Sequence, residues 1–408
     1  MISQPDEAAG ATRGNLMASG AAHARSSEPN HPQRVLMISG QAEHYGADRS
    51  LANLALAIAR RGWQVTVTLP GPGPLAADMD AAGIPTVHFE PGVLRRVNRP
   101  RDWARLVASD MPAAIWRARR MAGHYDIVHV NSVVVTGALL GAALSGRATV
   151  CHVRESFAAH PRQFALYARL LQRLPVTYVA VSTAIADELA RAGLGEKTVT
   201  VPNGIDLSAF PPPPPDAPRQ CGVLCVGRIN DWKGQDVLVK AIARLRDRGV
   251  KIPLSIAGDV YPGGEIYRRR LEHMIADLGL SGQVQLLGFV EDVGRLLTSH
   301  TIYVQPSIRP EPFGLALVEA MTQGMACIAS RGGGPSEIIR HGTTGLLVNP
   351  GDASELADAI GELWRDPGRR QHLGSAAMID ARQRFSAESE AGRIAALYST
   401  FMDDAAPP

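Results

Sequence analysis

Short apolar runs alternate with longer amphipathic segments along most of the chain. The run at residues 35–39 leads through a glycine-containing loop into a helical pattern, in which Leu51, Leu54 and Ile58 share one face, and a second run follows at 64–69. That order is typical of a βαβ unit. The alternation recurs at residues 127–130, 149–153, 178–181 and 198–201. Together these runs predict a parallel sheet flanked by helices.

Five consecutive prolines, residues 211–215, separate this region from a second one with the same alternation. A run of prolines fits neither a helix interior nor a central strand, so we place a domain boundary there. Beyond it, strand-like runs occur at residues 222–226, 254–257, 284–287, 302–305, 327–330 and 345–348. The sequence therefore predicts an α/β protein with two Rossmann-like, doubly wound domains that face a central cleft.

The predicted organisation has five parts. Residues 1–30 show neither periodicity and are expected to be a disordered tail. The two domains are assigned to residues 31–205 and 221–385, joined by a proline-rich linker at residues 206–220. A final helix at residues 386–404 could pack back on the first domain, a point that the sequence leaves open.

Composition narrows the functional classes. The chain of 408 residues has a formal net charge of +3 and no dense Lys/Arg tract, so nucleic acid is not expected as a partner. The four cysteines lie in strand-like runs without the spacing of a zinc site, and we expect buried thiols. The sequence shows neither a secretory signal nor an apolar run of the roughly 20 residues that a membrane span needs. We therefore expect a cytoplasmic protein.

The stretch from Arg309 to Met321 holds two glutamates with candidate chemistry. Glu311 precedes a helix expected to begin near residue 313, and the N–H groups at such a helix start attract phosphate. Glu319 falls in an otherwise apolar stretch, where a carboxylate needs hydrogen bonds that ribose hydroxyls would supply. Alternatively, Glu311 only caps the helix and Glu319 only pairs with a neighbouring cation.

A second candidate is the segment Gly227–Gly234, which follows the first strand of the second region. It places the guanidinium of Arg228 and the ammonium of Lys233 at the mouth of the expected cleft. Both groups bind diphosphates, because Arg offers a fork of donors and Lys a compact charge. Taken alone, the segment could also be a solvated turn with two surface cations.

These blocks resemble the family 4 glycosyltransferases, the group 1 type, which have the GT-B architecture. The E-x7-E element of that family matches Glu311 and Glu319, and its G-R-x4-K-G element matches Gly227 to Gly234. Further matches lie at residues 201–206, 257–259, 288–289 and 332–337. Several matches in the right order are far more specific than any one of them.

The resemblance implies a retaining glycosyltransferase with a nucleoside-diphosphate sugar, UDP- or GDP-linked, as donor and a glycan or lipid-linked molecule as acceptor. It implies that Arg228 and Lys233 bind the diphosphate and act in catalysis without a metal ion, that Glu319 binds the ribose, and that Glu311 contacts the transferred sugar and acts in catalysis. The remaining donor-binding positions that it implies are Gly46, Gly227, Gly288, Phe289, Phe313, Gly314 and Leu315. The alternatives are a sugar-nucleotide epimerase of the same fold and a catalytically silent nucleotide-sugar-binding subunit.

The first domain matches the family less closely. The segment His44–Ser50 resembles its Gly-Gly-Ala-Glu-Arg loop, which faces the donor phosphates and the acceptor, with Ala47 and Asp48 in place of the second Gly and the Glu. The resemblance makes Ala47 and Asp48 candidates for the acceptor side, together with His152, Arg154 and Glu155. Alternatively, Asp48 is simply the N-cap of a helix. The segment Cys151–Ser156 ends a strand where relatives carry a histidine that touches the donor sugar.

Two residues of that last segment are candidates for the position of the histidine. Arg154 can replace it, or His152 can serve from two residues earlier on the same side of the strand. We favour Arg154, as a catalytic residue, together with Glu155. His129, on another strand, is expected to be a hydrogen-bonded core residue.

The segment Arg95–Arg120 is unusually basic. It carries eight Arg and two Asp, a net charge of +6, with aromatic and aliphatic residues between them. Such a segment could rest on an anionic membrane and lead to a lipid-linked acceptor. It could equally be a solvated pair of basic helices, since Pro100 and Pro112 are expected to interrupt any single long helix.

Overall fold

A computed structural model of the chain describes residues 33–43, 46–94, 100–214, 219, 222–261 and 263–403. The predicted tail at residues 1–30, part of the predicted linker, residues 95–99 of the basic segment, and His44 and Cys221 lie outside the described residues.

The first half of the fold is a parallel sheet of seven strands with the order β3-β2-β1-β4-β5-β6-β7. Its strands are β1 (Arg34–Ser39), β2 (Gln64–Leu69), β3 (Thr86–His88), β4 (Ile127–Asn131), β5 (Ala148–Val153), β6 (Val176–Ala180) and β7 (Thr198–Thr200). Its helices are α1 (Gly46–Arg60), α2 (Pro74–Ala81), α3 (Pro100–Arg105), α4 (Met111–Ala122), α5 (Thr136–Ala143), α6 (Pro161–Leu171) and α7 (Thr183–Arg191), with a π-helical segment at Leu106–Asp110 and a 3-10 turn at Gly195–Lys197.

The second half repeats this plan with a parallel sheet of six strands in the order β10-β9-β8-β11-β12-β13. Its strands are β8 (Val223–Val226), β9 (Leu254–Ala257), β10 (Val284–Gly288), β11 (Ile302–Gln305), β12 (Ala326–Ser330) and β13 (Leu346–Val348). Its helices are α8 (Gln235–Asp247), α9 (Glu265–Asp277), α10 (Val293–Ser299), α11 (Leu315–Thr322), α12 (Pro335–Ile338), α13 (Ala353–Arg365) and α14 (Pro367–Arg384), and α15 (Ala387–Asp403) ends the described chain.

These two sheets confirm the predicted α/β class and the two Rossmann-like halves. Central strands form because their apolar runs can be buried on both faces, as the five consecutive buried residues of β4 are. The strand order reverses between β1 and β4 in one sheet and between β8 and β11 in the other. In open α/β sheets this reversal leaves a crevice at the carboxyl ends of the strands, where ligands bind.

The last helix, α15, packs against the first half of the molecule. It contacts α1, and its Ala391, Ile394 and Tyr398 belong to the same apolar core as Val35 and Leu51. The backbone of Ile205 also donates a hydrogen bond to Phe385 and accepts one from Ala387. The final residues of the described chain therefore complete the core of its first sheet.

The expectation that Pro112 interrupts the basic helix is wrong. The helices α3 and α4 are joined by the π-helical segment Leu106–Asp110, and Arg105, Asp110 and Met111 all keep right-handed helical dihedral angles. A proline in a helix clashes with the carbonyl group four residues earlier. A π-helical turn is wider than an α-helical one and relieves that clash, so the helical run continues through the proline.

Among the described residues, none of the helices combines the length and the apolar composition that crossing a bilayer requires.

Candidate functional site

A cleft of about 1290 Å³ lies at the carboxyl ends of both sheets. Most of the candidate residues from the sequence line it. They are Gly46, Ala47, Asp48, Arg154, Glu155, Gly227, Arg228, Lys233, Phe289, Glu311, Phe313, Gly314 and Leu315. His152, Gly288 and Glu319 are not among its lining residues. The positions come together because each follows a parallel strand, and the carboxyl ends of such strands share one edge of a sheet.

On the C-terminal wall of the cleft, Lys233 and Glu311 form an ion pair. The Nζ of Lys233 donates to Oε1 of Glu311 over 2.6 Å, and the hydroxyl of Ser307 donates to the same oxygen over 2.5 Å. The Glu311 side chain is 6% exposed, whereas that of Lys233 is 23% exposed and reaches the cleft. An incoming anion can therefore reach the ammonium group without unfolding any part of the wall.

The loop between Glu311 and α11 is shaped by backbone contacts. Helix α11 begins at Leu315, two residues later than expected, so Pro312 and Gly314 precede the helix instead of forming its first turn. Gly314 is the N-cap residue with φ of 116°, a conformation that a side chain would strain. Gly314, Leu315 and Ala316 line the cleft, so the start of α11, with its unpaired N–H groups, lies at the wall where it can bind an anion.

The glycine-rich motif near residue 333 supports this loop from behind. The N–H of Gly334 donates to the carbonyl oxygen of Glu311 over 2.9 Å. A Cβ atom on Gly333 would lie 2.0 Å from that oxygen, and one on Gly334 would lie 2.2 Å from the carbonyl oxygen of Phe313. Only glycine permits so close an approach, which accounts for this motif in the sequence.

Glu319 is held by the first half of the protein. The side chain is 2% exposed, and its Oε1 lies 2.7 Å from Nη2 of Arg49, which belongs to α1. Its second oxygen, Oε2, is buried without a hydrogen-bond partner in the structure. This arrangement agrees with the need of a buried carboxylate for donors. Arg49 was not among the candidates from the sequence.

Arg228 stacks on an aromatic ring at the edge of the cleft. Its guanidinium carbon lies 3.1 Å from the centroid of the Tyr261 ring. Phe289, which follows β10, is 59% exposed and also lines the cleft. Together these residues give this end of the cleft a cation and two aromatic rings, a combination suited to a nucleotide.

On the N-terminal wall, Arg154 is the central cation. Its Nε donates to Oδ1 of Asn131 over 2.6 Å, and its Nη1 donates to Oγ of Ser50 over 2.5 Å and to Oδ1 of Asn203. The side chain is only 4% exposed although it lines the cleft. Arg154 is thus engaged by the protein through most of its donors.

His152 is fully buried and does not line the cleft, which argues against it as a donor-sugar contact. Its Nδ1 lies 3.3 Å from Nη2 of Arg154, so the two side chains do share one side of the strand end, as expected. Burial first, and then the charge of Arg154, lowers the pKa of His152 well below its usual value. A neutral buried histidine serves Arg154 as an acceptor.

His129 is a buried, hydrogen-bonded histidine, as the sequence suggested. Its Nδ1 lies 2.6 Å from the hydroxyl of Tyr398 on α15. Burial, followed by the charge of Arg154, lowers the pKa of His129 to about 3. His129 is therefore neutral at any physiological pH.

Glu155 is half-buried beside Arg154 and lines the cleft. Burial raises its pKa, while hydrogen bonds from Ser132 and the backbone and the charge of Arg154 act in the opposite direction. Asp48 lies in the first turn of α1, which begins at Gly46, so it is not the N-cap residue of that helix. Carboxylates that line this wall are thus close to a fixed positive charge.

Two contacts tie the walls together. The hydroxyl of Ser182 donates to the carbonyl oxygen of Pro312 over 2.7 Å and also accepts the N–H of Ile185, so it caps α7. The carboxylate of Glu337 accepts the N–H groups of Thr183 and Ala184, both over 2.8 Å. The helix start in one half is therefore completed by a side chain from the other half, a contact that sequence patterns do not reveal.

Metal-binding clusters were not found in the part of the chain that the structure describes. The described cysteines, Cys151, Cys225 and Cys327, are buried free thiols whose pKa is raised by burial. They lie in β5, β8 and β12, as expected for core residues.

Two family models match the chain. The model described as Glycosyl transferases group 1 matches residues 216–379, and the model described as Glycosyltransferase Family 4 matches residues 45–209. Each model thus falls on one of the two sheets.

Individual relatives give the same picture. The lipopolysaccharide core biosynthesis mannosyltransferase LpcC of Rhizobium leguminosarum bv. viciae is 32% identical over 212 residues, 50% of this chain and 60% of that protein. The phosphatidyl-myo-inositol mannosyltransferase of Mycobacterium leprae is 27% identical over 371 residues, 87% of this chain and 93% of that protein. For the first curated relatives, the match spans about half of their length.

A solved structure resembles almost the whole molecule. HepE from Anabaena, in complex with UDP and glucose, superposes with a TM-score of 0.77 at 25% identity, over 90% of this chain and 100% of that one.

Proposed function

Because the chain belongs to the group 1 glycosyltransferases of family 4, with the GT-B architecture, we propose that it transfers a sugar from a UDP- or GDP-linked donor to a glycan or lipid-linked acceptor. One observation carries the proposal. The Lys233–Glu311 pair lies in a cleft of about 1290 Å³, a volume large enough for a nucleotide sugar. The same cleft wall carries the start of α11.

The C-terminal wall supplies the groups for the donor. Lys233, Arg228 and the N–H groups at the start of α11 would hold the diphosphate and stabilise the negative charge that develops as the glycosidic bond breaks. Glu319 would accept the ribose hydroxyls, and Phe289 would lie near the base. HepE binds UDP and glucose, and we propose a donor of the same general kind here.

We further propose that the configuration of the sugar is retained. Lys233 and Ser307 both donate to Oε1 of Glu311, which fixes this carboxylate in the cleft wall where it can contact the sugar. The departing phosphate oxygen would then take the proton of the acceptor. Nuclear magnetic resonance of the first product tests this point: retention requires that the transferred sugar has the same anomeric configuration as it had in the donor.

We also propose that no metal ion is needed, because Arg228 and Lys233 supply the positive charge. Chelation with EDTA should then leave the affinity for the nucleotide unchanged. A loss of affinity that added Mg²⁺ or Mn²⁺ restores would contradict the proposal.

For the acceptor side, we propose that the basic helix α4 meets an anionic membrane from the cytoplasmic side. Trp116 is 60% exposed, and the guanidinium carbon of Arg120 lies 5.6 Å from the centroid of its ring. Sedimentation with vesicles should show binding that needs anionic lipid and weakens in Trp116→Ala. Equal sedimentation with neutral and anionic vesicles would contradict it.

Calorimetric titration with UDP, GDP and ADP is the central experiment. We expect one nucleotide to bind with a Kd near micromolar, about −8 kcal/mol, and to bind at least about tenfold more weakly to Lys233→Ala and Glu319→Ala. Lys240→Ala is the matched control, since Lys240 pairs with Asp236 on the exposed face of α8. If no nucleotide binds, or if all three variants bind alike, the donor site is wrongly placed and the proposed function fails.

A further inference from the structure

The C-terminal helix brings a buried carboxylate to the N-terminal wall of the cleft. Glu390, on α15, is 2% exposed. Its Oε2 accepts the N–H of Gly204 over 2.7 Å, and its Oε1 lies 3.8 Å from Nη2 of Arg154. Gly204 follows Asn203, which itself accepts a hydrogen bond from Arg154. A single carboxylate therefore contacts both Arg154 and the loop that helps to hold Arg154.

The surroundings leave Arg154 few other counter-charges. Ser50, Asn131, Asn203 and His152 all hydrogen-bond to it, but none of these groups is an anion under ordinary conditions. Burial lowers the pKa of Arg154, and among the groups that oppose this effect Glu390 is the strongest, ahead of Glu155 and Asp48. A buried cation without a close anion is costly, so a loss of the Glu390 charge should loosen the guanidinium.

A less tightly held Arg154 would have alternative anionic partners at the cleft. Glu155 and Asp48 line the cleft close to it and could draw the guanidinium away from Asn131 and Ser50. The wall facing the donor would then lose its fixed shape and charge, although the C-terminal wall, with Lys233 and Glu311, would be unchanged. A misplaced group in an active site lowers turnover more than it lowers binding at a separate subsite.

We propose that Glu390 is a positioning residue, which acts from the C-terminal helix to fix Arg154 in the wall of the cleft; the proposal rests on the function proposed above. Glu390 does not touch the cleft itself. Through Glu390, α15 helps to position a residue of the cleft wall in addition to completing the core of the first sheet.

Two readouts on Glu390→Gln test this. The first is turnover at about pH 8, above the pKa of about 7 to which burial raises Glu390, measured as release of nucleoside diphosphate from UDP-glucose or GDP-mannose alongside the calorimetric Kd of the nucleotide. We expect kcat to fall at least about tenfold while the nucleotide Kd changes less than about twofold, with partial recovery in Glu390→Asp. Glu388→Gln, on an exposed residue of the same helix that pairs with Arg60, should behave like the original protein.

The second readout needs no substrate. The Nε–H signal of Arg154, identified by its loss in Arg154→Lys, should exchange with solvent at least about tenfold faster in Glu390→Gln than in Glu388→Gln, because its hydrogen bond to Asn131 opens more often. Circular dichroism and thermal unfolding confirm that each variant is folded.

The outcomes separate the two proposals. Unchanged exchange of the Nε–H overturns the positioning role whatever the nucleotide does, and so does faster exchange with an unchanged kcat. An equal loss of kcat and nucleotide affinity also overturns it, since that result describes general damage to the fold. If the original protein binds no nucleotide, the transferase proposal fails, while the exchange measurement still decides whether Glu390 holds Arg154.

Discussion

The two walls of the cleft each carry a cation next to a buried carboxylate, yet they use the pair differently. Lys233 is 23% exposed and makes one side-chain hydrogen bond, to Glu311, whereas Arg154 is 4% exposed and donates to three neighbouring side-chain oxygens while it faces Glu390. A cation that keeps access to solvent can exchange its partner for a ligand. A cation that the protein engages through most of its donors instead sets the shape and charge of the wall. We therefore expect the Lys233–Glu311 pair to bind ligand and the Arg154–Glu390 pair to fix the geometry of its wall.

The largest expected difference between the walls is in stability. Arg154→Ala leaves Asn131 and Asn203 without their guanidinium donor and Glu390 without its counter-charge, and loss of one partner of a buried pair typically costs about 3–5 kcal/mol. Lys233→Ala should cost only about 1 kcal/mol, because water in the cleft can reach Glu311. Urea unfolding of both variants measures the two values. Equal losses would remove the distinction between the walls.

The second-largest expected difference between the two walls is in the pH dependence of stability. Burial, opposed by Arg154 and the N–H of Gly204, raises the pKa of Glu390 to about 7. The folded state therefore binds a proton that the unfolded state has released, and the stability from this group is present below about pH 4.5 and is lost as the pH rises through 7.

Glu390→Gln removes the loss of stability that ionisation of Glu390 causes as the pH rises. Between about pH 5 and about pH 8, the difference in free energy of unfolding between the variant and the original protein should shift by about 2 kcal/mol in favour of the variant, on top of any pH-independent cost of removing the counter-charge of Arg154. Denaturant unfolding at several pH values measures this shift. His129 has the opposite effect on the pH dependence of stability: because its pKa is lowered to about 3, stability is lost as the pH falls below about 6.5. This loss should be the same in the variant and in the original protein. A pH-independent difference between variant and original would show that Glu390 ionises normally.

A smaller effect tests the role of the backbone at the start of α11 in the C-terminal wall. Gly314→Ala forces a side chain into a φ of 116° and should cost about 1–2 kcal/mol in thermal or urea unfolding. Gly282→Ala is the control, because a Cβ there meets no atom within 4 Å. If both substitutions have the same effect, the strained start of α11 is not what fixes this wall.

The smallest effect concerns the ion pair of Arg49 with Glu319, one of the contacts between the walls. Arg49 lies 2.7 Å from Oε1 of Glu319 and so competes with a ribose for this carboxylate. Arg49→Ala should therefore strengthen nucleotide binding about threefold, or about 0.6 kcal/mol, in calorimetry. Weaker binding would instead indicate that Arg49 moves onto the phosphates when the nucleotide arrives.

Sequence patterns predicted most of the fold because parallel strands are apolar on both faces. They missed β3, which is short and largely exposed, and α5, whose small apolar residues resemble a buried run of either kind. They also placed a break at Pro112, because a proline in a helix interior usually ends it, and a π-helical turn leaves no periodic signal.

The C-terminal wall could be proposed from sequence because its groups lie in continuous motifs, such as Gly227–Gly234 and the span from Glu311 to Glu319. The N-terminal wall could be identified only in part. Arg154 was a candidate, but Ser50, Asn203 and Glu390 come from distant segments that only tertiary packing brings to it. No spacing rule connects residues so far apart along the chain.

The return of α15 to the first sheet also has a consequence for the time course of synthesis. At about 5–20 residues per second, roughly 10–40 s pass on the ribosome between the end of β7 and the start of α15. During that interval the first-made half lacks Ile394 and Tyr398 from its core and Glu390 beside Arg154. A nascent chain stalled before residue 387 should therefore present an apolar face that chaperones can bind, and synthesis of α15, rather than translation of the first half, should mark the moment at which that half becomes native.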